Sequence, residues 1–213
     1  MSAVDASVVK QSLATKILYT VGASTSSIVA ITFFLVLAIQ RDALMVAFFV
    51  GAIANGILSK VLKKILNQDR PSDAIVTSVA AVEQPSDKGM PSSHAMSLGF
   101  IGTFTMLTWE WTRLVIPVYA AISLYYRVQT RLHTTEQVVV GLVVGATNGY
   151  VWRHLVDGSN PFGINVTEYV SRAFLNDHGL LPIPLLIVPI VAGLVVVGSL
   201  ERKISKFLQK KES

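Results

Sequence analysis

Three polar stretches carry residue types able to do chemistry: Lys63-Lys64-Ile65-Leu66-Asn67-Gln68-Asp69-Arg70-Pro71, then Gly89-Met90-Pro91-Ser92-Ser93-His94, then Arg127 through His133 to Glu136-Gln137. Each lies at the end of an apolar segment, where ionisable side chains are costly unless they are used. Lys63, Arg70 and Arg127, brought together, make a cationic clamp in which guanidiniums grip an oxyanion bidentately and the ammonium acts as a point charge. Pro91-Ser92-Ser93 at the start of a helix adds amides and hydroxyls, an anion site in its own right. Two imidazoles beside such a clamp divide the work: one attacks phosphorus as the neutral ring, and the other protonates the leaving oxygen and then activates water. That set suits hydrolysis of a phosphate ester through a phosphohistidine. It requires no cofactor and no metal, and the stretches lack the paired carboxylates that hold Mg²⁺.

The elements that must position these residues are membrane spans. The chain has 213 residues, 52% hydrophobic and 15% charged, with mean hydropathy +0.55, which is outside the range of soluble domains. The expected fold class is an all-α integral membrane protein, one domain over residues 1–213. Six apolar segments stand at roughly 22–39, 43–62, 95–110, 114–127, 136–155 and 181–200, each read as a span. By that count the end of span two, the start of three, the end of four and the start of five share one membrane face, so the three polar stretches can converge. Of the 18 Lys and Arg, 14 fall on that face and four on the other, which predicts termini on the cytosolic side.

Other features bound the reading. There is no cysteine, so disulfides, thiolate metal sites and cysteine nucleophiles are excluded. The net charge of +5 sits between and beyond the apolar runs, which fits topology and anionic headgroups; the expected partners are the bilayer and a membrane lipid substrate, and no nucleic acid. Residues Met1 to Lys16 lack the pattern of a secretory signal, while a short transit segment stays open. Asn67 to Ser93 reads as an ordered functional loop. Val166, Tyr169, Val170 and Phe174 recur at helical spacing in the connection Asp157 to Leu180, which predicts a short interfacial helix. His154 and His178 fall on the opposite face and receive no catalytic role. Asn165-Val166-Thr167 is a glycosylation sequon on that face, and Lys203, Lys206, Lys210 and Lys211 read as a topology anchor.

Lys63-x6-Arg70-Pro71, Pro91-Ser-Ser-His94 and Arg127-x5-His133, in this order and spacing, resemble the three-part signature of the type 2 phosphatidic acid phosphatase (PAP2) and haloperoxidase superfamily, over roughly residues 60–150. The resemblance implies a six-span helical bundle of that type and a lipid phosphatase. It also implies His133 as nucleophile, His94 as acid and base, and Lys63, Arg70, Ser92, Ser93 and Arg127 as phosphate ligands. The wording of the motifs is similar to two branches, plastid-type lipid phosphate phosphatases and dolichyl-diphosphate phosphatases. These imply a phosphatidate-like or a polyprenyl diphosphate substrate, and an endoplasmic reticulum or plastid envelope location.

Three departures from the signature matter. Ser93 stands where the family usually has Gly, Tyr126 where it has Ser, and Gln137 where it has the Asp that orients and charges the nucleophile. Gln137 can accept the ring N–H of His133 and set its tautomer, but it supplies no charge; Glu136 is the adjacent alternative. Thr134-x-x-Gln137 also matches a capping box, and Lys60, Lys63 and Lys64 also suit snorkelling anchors. A protein that keeps the clamp for lipid binding or transport without turnover is the reading from another class.

Overall fold

A computed structural model describes residues 13–72 and 88–187. Most of the polar N-terminal stretch, most of the loop before His94, most of the sixth apolar segment and the C-terminal lysines lie outside the described residues. The five other apolar segments fall on α1 (Leu13–Gln40), α2 (Ala43–Leu66), α3 (Ser93–Thr108), α4 (Thr112–Gln129) and α5 (Thr135–Asp157), and the amphipathic stretch forms α6 (Val166–Phe174). The start of the sixth segment re-enters helix at 183–187. Among the described residues the chain is all helical.

Local chemistry sets the helix ends. Asp42 caps α2 by accepting from the Met45 amide at 2.8 Å, directly after Arg41 in the left-handed region (φ 48°). This two-residue turn reverses the chain between α1 and α2. Asn67, also left-handed, closes α2 with its N–H on the Lys63 carbonyl, Ser92 caps α3, and Asn165 caps α6. The sequon Asn165-Val166-Thr167 is therefore a helix start in which Thr167 donates to Asn165 Oδ1 at 2.6 Å.

Among the described residues two helices, Leu18–Gln40 within α1 and α2 itself, are long and apolar enough to cross a bilayer, with mean hydropathies of 2.0 and 1.8. Their outward positions, such as Ile39, Ile57 and Ile65, are exposed and apolar, as a lipid-facing surface requires. At 16 residues, α3 spans about 24 Å at the helical rise, short of the roughly 30 Å hydrocarbon core.

The seam between α3 and α5 positions the site. Gly141, Gly145 and Gly149 recur every four residues along one face of α5, and a Cβ there would meet the carbonyl oxygens of Ser92, Met96 and Phe100 of α3. Only hydrogen at these positions lets the backbones come so close, the small-residue packing typical of membrane helices. Further from the site, Phe48 stacks on Phe104 with ring centroids 4.3 Å apart, and Asn148 of α5 donates to Asn55 of α2 at 3.0 Å. Gly145→Leu should lower the detergent-solubilised melting temperature by roughly 2–12 °C, since overpacking costs about 1–3 kcal/mol and each kcal/mol moves a chain of this size by about 2–4 °C. A thermal melt unchanged from wild type would contradict the seam.

Candidate active site

The three polar stretches meet at one end of the bundle. From the end of α2, Lys63 turns inward, almost fully buried, and donates to the Lys88 carbonyl at 2.6 Å, while Lys60 and Lys64 remain exposed. Arg70, just past α2, reaches the turn between α4 and α5. There its Nη1 lies 3.0 Å from the Leu132 carbonyl and 2.9 Å from His133 Nε2. Arg127, in the last turn of α4, serves both histidines. Its Nη2 is 3.3 Å from His94 Nδ1, and its carbonyl accepts from the Leu132 and His133 amides at 3.1 and 3.4 Å. Arg127 Nε is buried with no hydrogen-bond partner among the described residues, a rare and costly state that an incoming anion would relieve.

The ring of His133 is fixed at both nitrogens. A guanidinium has only donors, so the Nε2 that faces Arg70 carries the lone pair, and Nδ1–H donates to Gln137 Oε1 at 3.1 Å. Gln137 performs both jobs that the sequence left open. It completes the capping box of α5 with Thr134, and it holds the ring. Its amide also donates to the Asp69 carbonyl at 2.8 Å and to Gln68 Oε1 at 3.0 Å, tying the Arg70 segment to α5. Glu136, the other candidate for the ring bond, is exposed; at the first turn of α5 its side chain points outward while Gln137 turns in, so the alternative fails on geometry.

Ser92 has a structural job at the same helix start. It is fully buried, its hydroxyl accepts from the Ala95 amide at 3.4 Å, and its own N–H is taken by the Gln137 carbonyl at 3.0 Å. It is a cap that locks α3 to α5. The backbone groups open to an anion at this helix start are the first-turn amides of Ser93 and His94, which have no intrahelical acceptor, and each serine hydroxyl keeps its own O–H to donate. The Ser93 hydroxyl accepts from Ser59 of α2 at 2.7 Å.

His94 is bracketed as well: Nε2 lies 3.1 Å from Ser123 Oγ of α4, and Ser26 Oγ of α1 approaches Nδ1 at 3.2 Å. Motif spacing does not reveal these serines; the available signal is only a hydroxyl inside an apolar run. Tyr126, the departure before Arg127, packs edge-to-face on Tyr19 at 5.5 Å and against Gly22, so it joins α4 to α1. A cleft of about 320 Å³ between α1, α2 and α3 runs from Ser26 and His94 past Val29 and Leu98 to Phe33 and Phe49. His154 and His178 stand apart: His154 pairs with Ser159 beyond the far end of α5, and the turn holding His178 leads to Leu181, bonded to Arg41.

Burial first, then the Arg70 guanidinium and, more weakly, Lys63 and Arg127, push the His133 ring down to about 4, against the opposing pull of the Gln137 hydrogen bond. The neutral ring is therefore the form present from mildly acidic pH upward. Ring NMR should show His133 titrating near pH 4, and Gln137→Glu, which places a carboxylate on Nδ1–H, should move that titration upward. A His133 titration near 6.5 in the wild type would refute the arrangement.

An all-helical membrane-type bundle with a buried and a half-buried histidine joined through one arginine defines a narrow structural class. The PAP2 superfamily model matches residues 44–161, and the chain belongs to that superfamily. It is 39% identical over 135 residues to the chloroplastic lipid phosphate phosphatase epsilon 2 of Arabidopsis thaliana, covering 59% of this chain and 44% of the relative. It is 29% identical over 140 residues to the dolichyldiphosphatase of Saccharomyces cerevisiae, covering 59% and 56%. The chain thus matches about half the length of these relatives. The crystal structure of a transmembrane PAP2-type phosphatidylglycerolphosphate phosphatase from Bacillus subtilis superposes with a TM-score of 0.57 at 15% identity, covering 72% of this chain and 82% of that one, which supports the fold.

Proposed function

We propose that the chain is a metal-independent membrane lipid phosphatase working through a phosphohistidine on His133. The observation that carries this is the His133 ring itself, with its proton held by Gln137 and its lone pair aimed at the Arg70 guanidinium. A phosphate arriving among Lys63, Arg70, Arg127 and the first-turn amides of Ser93 and His94 gives Arg70 a charged acceptor in place of the ring. His133 Nε2 then attacks phosphorus as the bond to the leaving oxygen breaks, and His94 delivers a proton to that oxygen. In the second step neutral His94 takes a proton from water, the water oxygen bonds phosphorus, and the P–N electron pair returns to His133. Negative charge grows on the phosphoryl oxygens between the cations, where preorganised donors act most strongly.

The apolar cleft beginning at His94 favours a lipid that enters sideways with its tails left in the bilayer. Six spans with the site at the cytosolic-side interface follow from the parity and charge bias. The similarity to a dolichyldiphosphatase favours a polyprenyl diphosphate as the second substrate class, and labelling of a cysteine introduced at Ser86 tests the face. Purified full-length chain, assayed in chelator against phosphatidate, lysophosphatidate and a polyprenyl diphosphate, should release phosphate from at least one. Folded protein that releases none would overturn the proposal and favour a lipid-phosphate binder.

A further inference from the structure

Ser123 lies in the interior of α4, one turn before Arg127, and is fully buried. Hydroxyls inside membrane helices commonly bond back to their own helix, as Thr105 does to the Ile101 carbonyl and Thr130 to the Tyr126 carbonyl. Ser123 instead engages His94 Nε2 at 3.1 Å. Positions four apart share a helix face, so one face of α4 reaches both nitrogens of a single ring, Arg127 at Nδ1 and Ser123 at Nε2.

The two contacts are not equivalent. Arg127 has only donors to offer, which makes Nδ1 the acceptor and places the resting proton on Nε2, donated to Ser123 Oγ. Ser26, reaching Nδ1 from α1, donates to the same lone pair. Arg127 also belongs to the cation cluster and its carbonyl holds the His133 amide, so the Nδ1 edge faces the cluster while the Nε2 edge faces the helix interior.

We infer that Ser123 is a positioning residue for acid–base catalysis: it accepts Nε2–H throughout the cycle, so that Nδ1 is the nitrogen that exchanges the proton with the leaving oxygen and then with water. This rests on His94 acting as acid and base in the reaction proposed above. When Nδ1 is protonated the ring is an imidazolium: Arg127 then donates to the phosphate instead, Ser26 Oγ turns to accept Nδ1–H, and Ser123 Oγ accepts the second N–H. When Nδ1 has given its proton to the leaving oxygen, the ring is neutral in the tautomer needed to take one from water. Without the hydroxyl the buried Nε2–H has no acceptor, and the ring can turn or change tautomer.

The test uses leaving groups. An alkyl ester needs its oxygen protonated as the P–O bond breaks, whereas a p-nitrophenyl ester does not. General-acid catalysis contributes roughly 10²–10⁴-fold, and losing its alignment should forfeit part of that. In the full chain, Ser123→Ala should lower kcat/KM for a short-chain alkyl phosphate by about 10- to 100-fold while changing that for p-nitrophenyl phosphate less than threefold. Ser123→Thr and Ser123→Val add nearly the same volume and differ in the hydroxyl, so only Thr should recover the alkyl reaction. An equal loss on both esters, no loss on either, or equal behaviour of Thr and Val would overturn the inference. If the wild type hydrolyses neither ester nor any lipid phosphate, the phosphatase proposal fails instead.

Discussion

His133→Ala should lower phosphate release by at least about 10⁴-fold and abolish the phosphoenzyme trapped by acid quench from ³²P-labelled substrate, because loss of a nucleophile removes a whole covalent route. The protein should remain folded. Gln137 Oε1 still has the Thr134 amide at 3.3 Å, and Arg70 still has the Leu132 carbonyl at 3.0 Å, so the loss is that of the two ring hydrogen bonds, about 1–3 kcal/mol. Phosphoenzyme persisting in a folded His133→Ala variant would move the nucleophile elsewhere, with His94 the first candidate.

The second large effect is expected at Arg127. Replacement by Ala should reduce kcat/KM by roughly 10²–10³-fold, the scale of losing one preorganised donor to a developing oxyanion. Its side chain touches His94 and leaves Nε for an anion, while the carbonyl that holds the Leu132 and His133 amides survives any substitution. Phosphoenzyme should therefore form slowly but still form, unlike in His133→Ala. Arg127→Lys should recover little, since a single ammonium cannot reach His94 Nδ1 and a phosphate oxygen with the geometry of a planar fork. Near-wild-type kcat/KM in Arg127→Lys would show that position 127 supplies charge alone. Glu136→Gln, at an exposed position away from the ring, should stay within about twofold in the same assay.

Much of the fold was legible because a bilayer imposes length and hydropathy on every crossing. The segments expected at 43–62, 114–127 and 136–155 match α2, α4 and α5 to within a few residues. Boundaries slipped where polar residues extend a helix past its apolar run: α2 continues through Lys63 and Lys64 to Leu66. The amphipathic helix at Val166–Phe174 was readable from its period, since Val170 turns to the core while Tyr169 stays exposed. The glycine stripe of α5 was present in the sequence at a spacing of four, yet its meaning depends on which helix lies opposite.

The candidate site divides along the same line. The order and spacing of Lys63, Arg70, His94, Arg127 and His133 were enough to single out the clamp and both imidazoles, which the structure brings together at one end of the bundle, because motif identity is a one-dimensional property. Which groups accept and which donate was decided only by the tertiary structure. Gln137 rather than Glu136 holds His133, Ser92 caps α3, Lys63 rather than its neighbours turns inward, and Ser123 and Ser26 flank His94. Each of these outcomes depends on the rotation of a helix about its own axis and on how closely α3 can approach α5 across Gly141, Gly145 and Gly149. Neither quantity is written in any single segment, since both follow from packing between residues far apart in the chain.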